Sequence, residues 1–251
     1  MSVLVIAEPG STHEGRLDLM LRLIDAASDA GVNVFKSQWL SSAERLCERR
    51  RAPEYLDSYR KLEYPLAWHA ECRDHAKARG LQYACSVYLP GDAALVGPFC
   101  DFLKVSSFEA EDGDLICEAV DASRARAVVS LGMNASRPPY AGIRCVHCVS
   151  SYPAPISQMR LASLFDVTID GLSDHSRDLR MGGWAVCAGA QIIEAHLRLD
   201  DTDTANKDYA VAFTPAEFAT YVQNIRDAEL AMGDGVRRVQ PCEGPMLRFR
   251  V

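Results

Sequence analysis

Two histidines stand twenty-one residues apart at the ends of adjacent apolar runs, in Ser173-Asp174-His175 and Glu194-Ala195-His196, and two of only five lysines, Lys36 and Lys104, end similar runs. Neutral imidazoles suit a first-row divalent metal, and a site with two protein ligands leaves positions for water and substrate oxygens. An aldehyde oxygen bound there would be polarised. Two lysines joined by hydroxyl donors suit a phosphate or carboxylate, since hydroxyls add hydrogen bonds without charge. Arginine outnumbers lysine 22 to 5, so composition alone would rarely place lysine behind Val32-Asn33-Val34-Phe35 and again behind Phe102-Leu103. Charges on such runs are costly to bury without a partner. Together these parts point to a metal beside an anion pocket, suited to joining an anionic phosphorylated compound to a carbonyl compound.

Plainer readings stand beside these. A lone strand histidine is more often a hydrogen-bonded core residue, either lysine can be a structural ion-pair partner, and single serines carry no information. The pairing of His175 and His196 on neighbouring strands shifts the balance toward a metal, and Glu8, at the end of an apolar strand, is favoured for function. His69 and His75 fall on an amphipathic helical pattern and are expected at the surface. Arg49-Arg50-Arg51 reads as a solvated helix end. Cys145-Val146-His147-Cys148 resembles a zinc pair, but in a β run positions three apart face opposite sides, which favours core cysteines. The nine cysteines are an odd number without a disulfide-like framework, so reduced thiols are expected.

These side chains need strands to hold them. Apolar runs at 3–8, 32–38, 82–88, 102–107, 127–132, 144–150, 167–173 and 191–197 read as eight strands. Helical patterns occupy 16–30, 65–80, 91–96, 114–122, 156–165 and 178–189, and a last helix opens at Thr214-Pro215-Ala216-Glu217, a capping box with proline at the first helical position. Eight strand-helix units with mostly continuous apolar strands predict a (β/α)8 TIM barrel over residues 1–235, followed by a tail at 236–251; a doubly wound open sheet is the alternative. Only 133–143 separates strands five and six, so the helix there is abbreviated and the wall needs cover from a partner or the tail. A homodimer is the expectation.

In such a barrel, reactive side chains come from the carboxyl ends of the strands. Glu8, Lys36, Gln38, Ser86, Lys104, Ser107, Ser130, Ser150, Tyr152, His175 and His196 would converge on one mouth. The 48% hydrophobic and 24% charged content is that of a soluble globular protein. The N-terminal residues run directly into a strand with no basic leader, so a cytoplasmic location and no membrane partner are expected. A net charge of -7 argues against broad nucleic-acid binding, which depends on phosphate neutralisation by Lys and Arg.

An ordered series of stretches resembles the sialic acid synthase family across nearly the whole chain. It comprises Ile6-Ala7-Glu8-Pro9-Gly10 with His13-Glu14-Gly15, Phe35-Lys36-Ser37-Gln38, Leu103-Lys104-Val105-Ser106-Ser107, and Ser130-Leu131-Gly132-Met133. It continues with His147 to Pro153, Leu172-Ser173-Asp174-His175, Gly189 to His196, and Asp208. The resemblance implies a barrel enzyme that condenses phosphoenolpyruvate with an N-acylated aminohexose to give a nine-carbon 2-keto sugar acid and phosphate, with C-O cleavage. It implies a divalent metal, manganese or magnesium, on His175 and His196. Lys36, Ser86, Lys104, Ser107, Ser130, Ser150 and Ser173 would hold phosphoenolpyruvate, with Lys36 and Lys104 also acting in catalysis. Glu109 would handle water or proton transfer, with Glu8 a further candidate, and Gln38, Tyr152 and Asp208 would face the sugar acceptor.

The resemblance also implies departures. Family members usually carry a C-terminal antifreeze-like domain that supplies an arginine to the sugar pocket, and this sequence stops where that domain would begin, leaving Arg248 or Arg250 as a candidate replacement. Ser86, Ser150, Cys85, Glu14 and Asn206-Lys207 also differ from the residues usual at those places. Two further functions remain open at this stage: a metal-dependent aldolase or isomerase on the same scaffold, and a catalytically inactive ligand-binding subunit.

Overall fold

Alternation along eight short strands builds both the core and the mouth. The computed structural model describes residues 2–124 and 126–251; Met1 and Ala125 lie outside the described residues. The strands are β1 (Leu4–Glu8), β2 (Val34–Gln38), β3 (Gln82–Val87), β4 (Phe102–Val105), β5 (Ala127–Leu131), β6 (Ile143–Cys148), β7 (Gly171–Asp174) and β8 (Ile192–His196). Each is parallel to the next, and β8 pairs with β1 to close the barrel. This is the predicted TIM barrel; the open sheet is excluded.

Inside the barrel, Ile6, Val34, Ala84, Phe102, Val128, Val146 and Ile192 form one apolar cluster that plugs the lower half. Because strand side chains alternate, the residue two positions on points the same way. Those positions are Glu8, Lys36, Ser86, Lys104, Ser130, Cys148 and Glu194, a polar tier standing on the apolar plug. Register staggers the tier around the barrel: Ser86 is opposite Lys104, Ser173 opposite Glu194 and Glu8 opposite His196, whereas Lys36 is opposite Ala84 and Lys104 also opposite Val128. Residues of the other strand face, such as Val5, Phe35, Leu103, Val129 and Ile193, are buried in the main core beneath the helices.

The helices are α1 (Leu17–Asp29), α2 (Ala43–Arg50), α3 (Leu56–Arg60), α4 (Trp68–Ala78), α5 (Asp92–Val96), α6 (Gly113–Ala122), α7 (Met181–Cys187) and α8 (Pro215–Met232). The capping box at Thr214 forms as the sequence predicts. Three expectations change. Residues 156–165 form two 3-10 turns, Ile156–Gln158 and Leu161–Phe165, instead of one helix. Arg160 between them is left-handed at φ 51, which interrupts any continuous helix. Strand β7 begins at Gly171, because the Asp166 carboxylate accepts from the Thr168 N–H at 2.9 Å and hydroxyl at 2.8 Å and turns the chain, leaving Val167 in solvent. His69 is fully buried, its Nδ1 2.8 Å from the Tyr83 hydroxyl, so the polar surface expected there lies on other residues of α4.

The connection after β2 holds α2 and α3. Ser42 caps α2 by accepting from the Arg45 N–H at 3.2 Å, and Leu46, Cys47, Tyr59 and Leu62 pack with Leu40, Tyr88 and Leu89 in a small core of their own. Residues 132–142 contain no helix, as their length predicts. Beyond α8 the chain is exposed through Val251, with a 3-10 segment at Pro241–Phe249. Among the described residues, no helix is long and apolar enough to cross a membrane.

Candidate active site

A cavity of about 630 Å³ opens at the carboxyl ends of the strands. Its floor is an ionic network. Lys36 Nζ lies 2.5 Å from Glu8 Oε2, 2.6 Å from Ser86 Oγ and 3.6 Å from Glu194 Oε2. Lys104 Nζ pairs with Glu194 Oε1, which also accepts from the Ser173 hydroxyl at 2.9 Å. Burial opposes ionisation throughout, yet Lys36, His196 and Lys104 hold the Glu8 carboxyl well below the usual carboxylate range. The Lys36 ammonium is in turn raised against burial by Glu194 and Glu8. The Lys36–Glu8 pair therefore stays charged, because each ion has its counterion within contact distance.

Beside this floor stand the two imidazoles, with ring centroids 5.5 Å apart. His175 donates from Nδ1 to the Val149 carbonyl at 2.8 Å, a bond only an N–H can make, so Nε2 carries a free lone pair. Burial and the neighbouring His196 lower the His175 pKa to about 3, which keeps it neutral at ordinary pH. His196 Nδ1 is buried without a hydrogen-bond partner. A β-carbon on Gly10 would sit 2.5 Å from Asp208 Oδ2 and 3.3 Å from His196 Nδ1, and Gly10 has φ +55, so only glycine admits this close approach. Among the described residues no cluster of three or more metal-ligating side chains occurs. The donor set fits a divalent cation held by two imidazoles with its other positions open.

Above the floor the cavity becomes aromatic. Tyr152 lies against His175 at 4.3 Å between centroids, and Tyr55, Tyr59, Tyr88 and Phe108 complete the wall. Glu109 lines it too, gripped by Arg50 through Nε to Oε1 at 2.8 Å and Nη2 to Oε2 at 2.8 Å. Arg50 is thus enclosed and paired rather than solvated as the triple-arginine run suggested; Arg49 pairs with Asp112.

Most of the residues singled out from sequence meet here. Glu8, Gln38, Ser86, Lys104, Ser107, Glu109, Ser130, Tyr152, Ser173, His175, His196 and Asp208 all line the cavity. Two do not. Lys36 is fully buried below the floor and reaches the cavity through its partners, and Ser150 reaches it through a 2.8 Å hydrogen bond with Ser107. Gln38 bonds to Glu8, and Asp208 Oδ2 accepts from the Ser11 N–H and hydroxyl, both at 2.7 Å, so each has a protein partner as well as a cavity face. Neither Arg248 nor Arg250 lines the cavity, and Arg248 lies over its own neighbour Phe249.

Sequence reasoning missed Glu194 as a site residue, although period-two spacing puts it on the same face as His196. It also missed Arg50, for which no local signal exists, since Arg49, Arg50 and Arg51 look alike in sequence.

Fold and cavity define the class: a (β/α)8-barrel enzyme whose mouth joins a lysine-carboxylate floor to an imidazole pair. The chain belongs to the NeuB family, whose model matches residues 23–237, which bears out the resemblance read from the motifs. It is 26% identical to an N,N'-diacetyllegionaminic acid synthase of Campylobacter jejuni over 96% of this chain and 80% of that one. It is also 26% identical to the human N-acetylneuraminate-9-phosphate synthase, over 95% and 74%. The crystal structure of an N-acetylneuraminic acid synthetase from Leptospira borgpetersenii, in complex with citrate, superposes with a TM-score of 0.87 at 24% identity, covering 100% of this chain and 92% of that one.

Proposed function

We propose that this protein condenses phosphoenolpyruvate with the open-chain aldehyde of an N-acylated amino sugar, giving a 2-keto sugar acid and phosphate. The observation that carries this is the placement of Lys104, Ser107, Ser130 and Ser173 beside His175 and His196 in one cavity. The lysine and hydroxyls supply the charge and donors that a phosphate or carboxylate needs, and Ser130 Oγ is buried with no protein partner, free to donate to a ligand. Lys36, locked beneath, fixes Glu8 and Ser86 from below.

In this reading carbon three of phosphoenolpyruvate attacks the aldehyde carbon, water adds at carbon two, and the carbon-oxygen bond to phosphate breaks. The charged floor would stabilise the cationic character that develops at carbon two, through the Glu8 and Glu194 carboxylates that line it. Glu109 would orient the water or accept its proton, and the tyrosine-rich wall with Gln38 and Asp208 would hold the sugar. His175 and His196 would hold manganese or magnesium, which when bound supplies Lewis-acid polarisation of an oxygen.

The relatives' names support the amino-sugar class of acceptor. The test is phosphate release from phosphoenolpyruvate with added manganese across a panel of N-acylated mannosamines and related amino sugars. Release tied to one acceptor supports the reading and names the substrate; no release with any acceptor, despite calorimetric phosphoenolpyruvate binding to a folded protein, contradicts it.

A further inference from the structure

Arg50 closes α2, and its neighbour Arg51 adopts the left-handed conformation at φ 52, ending the helix and leaving Arg50 over the mouth. Its guanidinium is boxed by three rings from three parts of the chain, at 5.6 Å from the centroid of Tyr59, 5.1 Å from Tyr88 and 4.8 Å from Phe108. Within that box four of its five N–H donors are directed: two go to the Glu109 carboxylate, one to the Tyr59 hydroxyl at 3.1 Å, and Nη2 also approaches Ser106 Oγ at 3.4 Å. Ser106 itself donates to Glu109 Oε2. The Glu109 side chain is only 2% exposed, so leaving this grip would strand a carboxylate with little solvent to replace its partners.

A bidentate fork fixes the plane of a carboxylate as well as its position, which a point charge such as an ammonium does not do. The aromatic box removes the guanidinium's own freedom and strengthens its attraction to the rings in a desolvated setting. Arg50 and Tyr59 belong to the segment after β2, which packs with Tyr88 after β3 in a small core of its own, whereas Phe108 and Glu109 belong to the turn after β4. One residue therefore couples the cavity's outer wall to a carboxylate that lines the cavity.

We propose that Arg50 is a positioning residue that holds Glu109 in one orientation toward the substrate and ties the α2–α3 wall to it. This rests on the proposed condensation for the chemistry Glu109 performs, but not for the coupling itself. The hydrogen bonds of Arg50 run to Glu109, Tyr59 and Ser106 rather than to the lysines or histidines, so phosphoenolpyruvate binding should not depend on it.

The test compares Arg50→Lys, Arg50→Gln, Glu109→Gln and the Arg50→Gln/Glu109→Gln double variant. Expected for Arg50→Gln is a fall in kcat of tenfold or more, with the calorimetric Kd for phosphoenolpyruvate changed less than twofold. Arg50→Lys should recover part of the rate. In the Glu109→Gln background, Arg50→Gln should cost less than twofold more, because its action runs through that carboxylate. A loss of phosphoenolpyruvate binding in Arg50→Gln, or full additivity of the two substitutions, would overturn the proposal. If the wild type turns over no acceptor, the condensation reading fails alone, and hydrogen exchange decides the coupling. Arg50→Gln should then speed exchange in both 43–60 and 106–112; acceleration confined to 43–60 would overturn it.

Discussion

Lys36 Nζ sits 2.5 Å from Glu8 Oε2 with both side chains almost wholly removed from solvent. The lysine is beneath the cavity, the glutamate at its surface, so the pair transmits the charge of the core to the site. Removing one partner of a buried ion pair leaves the other uncompensated, at a cost of about 3–5 kcal/mol. Lys36→Met should destabilise the protein by that amount in urea denaturation, and Lys36→Met/Glu8→Gln should recover part of it. A Lys36→Met variant as stable as wild type would show that the pair is not what holds this floor.

Lys104 lines the cavity while pairing with Glu194. Lys104→Ala should abolish calorimetric phosphoenolpyruvate binding while leaving the protein folded by circular dichroism. Retained binding would remove Lys104 from the anion site.

For the imidazoles the readout is metal binding itself. His175→Ala and His196→Ala should each weaken manganese affinity at least tenfold, about 1.4 kcal/mol, in a titration followed by electron paramagnetic resonance. The 5.5 Å spacing of the rings predicts that the two losses are similar. Unchanged affinity in either would contradict the assignment.

Two histidines outside the site set a pH dependence of stability. Burial lowers both His13 and His69 to about 4, with Lys61 adding to the shift of His13 and Asp208 opposing it. Their folded pKa lies below the ordinary value, so between about 4 and 6.5 the unfolded chain binds more protons. Stability is therefore full above pH 6.5 and falls as pH drops toward 4, by up to about 3 kcal/mol per histidine. Denaturation midpoints at pH 7, 5.5 and 4 check this, and His69→Gln should show a shallower slope. An unaltered slope would mean that His69 titrates normally.

The barrel was legible because its strands are near-continuous apolar runs, and the site was legible because chemistry sits at their carboxyl ends. Lys36 shows where that reading stops. Strand position places it correctly, but depth below the mouth depends on how many side chains stand above it, which no run of sequence states. Arg50 was illegible for another reason: its role comes from Glu109, 59 positions away, and from three rings that only the folded chain assembles. His69 was misread because an amphipathic helix pattern does not say where its polar residues meet another buried hydroxyl.

Between β5 and β6 the barrel wall has no helix, and Met133 and Phe165 are exposed, 62% and 72% respectively. We expect a homodimer that covers this side. Light scattering should give twice the chain mass at working concentration, and Phe165→Asp should shift it toward monomer; a monomeric wild type would count against this.

The most direct measurement uses phosphoenolpyruvate labelled with oxygen-18 at the bridge between carbon two and phosphorus, incubated with manganese and the reactive amino sugar, with both products analysed by mass spectrometry. The account predicts a product with the mass of acceptor plus pyruvic acid, free of label, and phosphate that carries it. Label retained in the keto acid, or a product formed without phosphate release, would contradict condensation with carbon-oxygen cleavage.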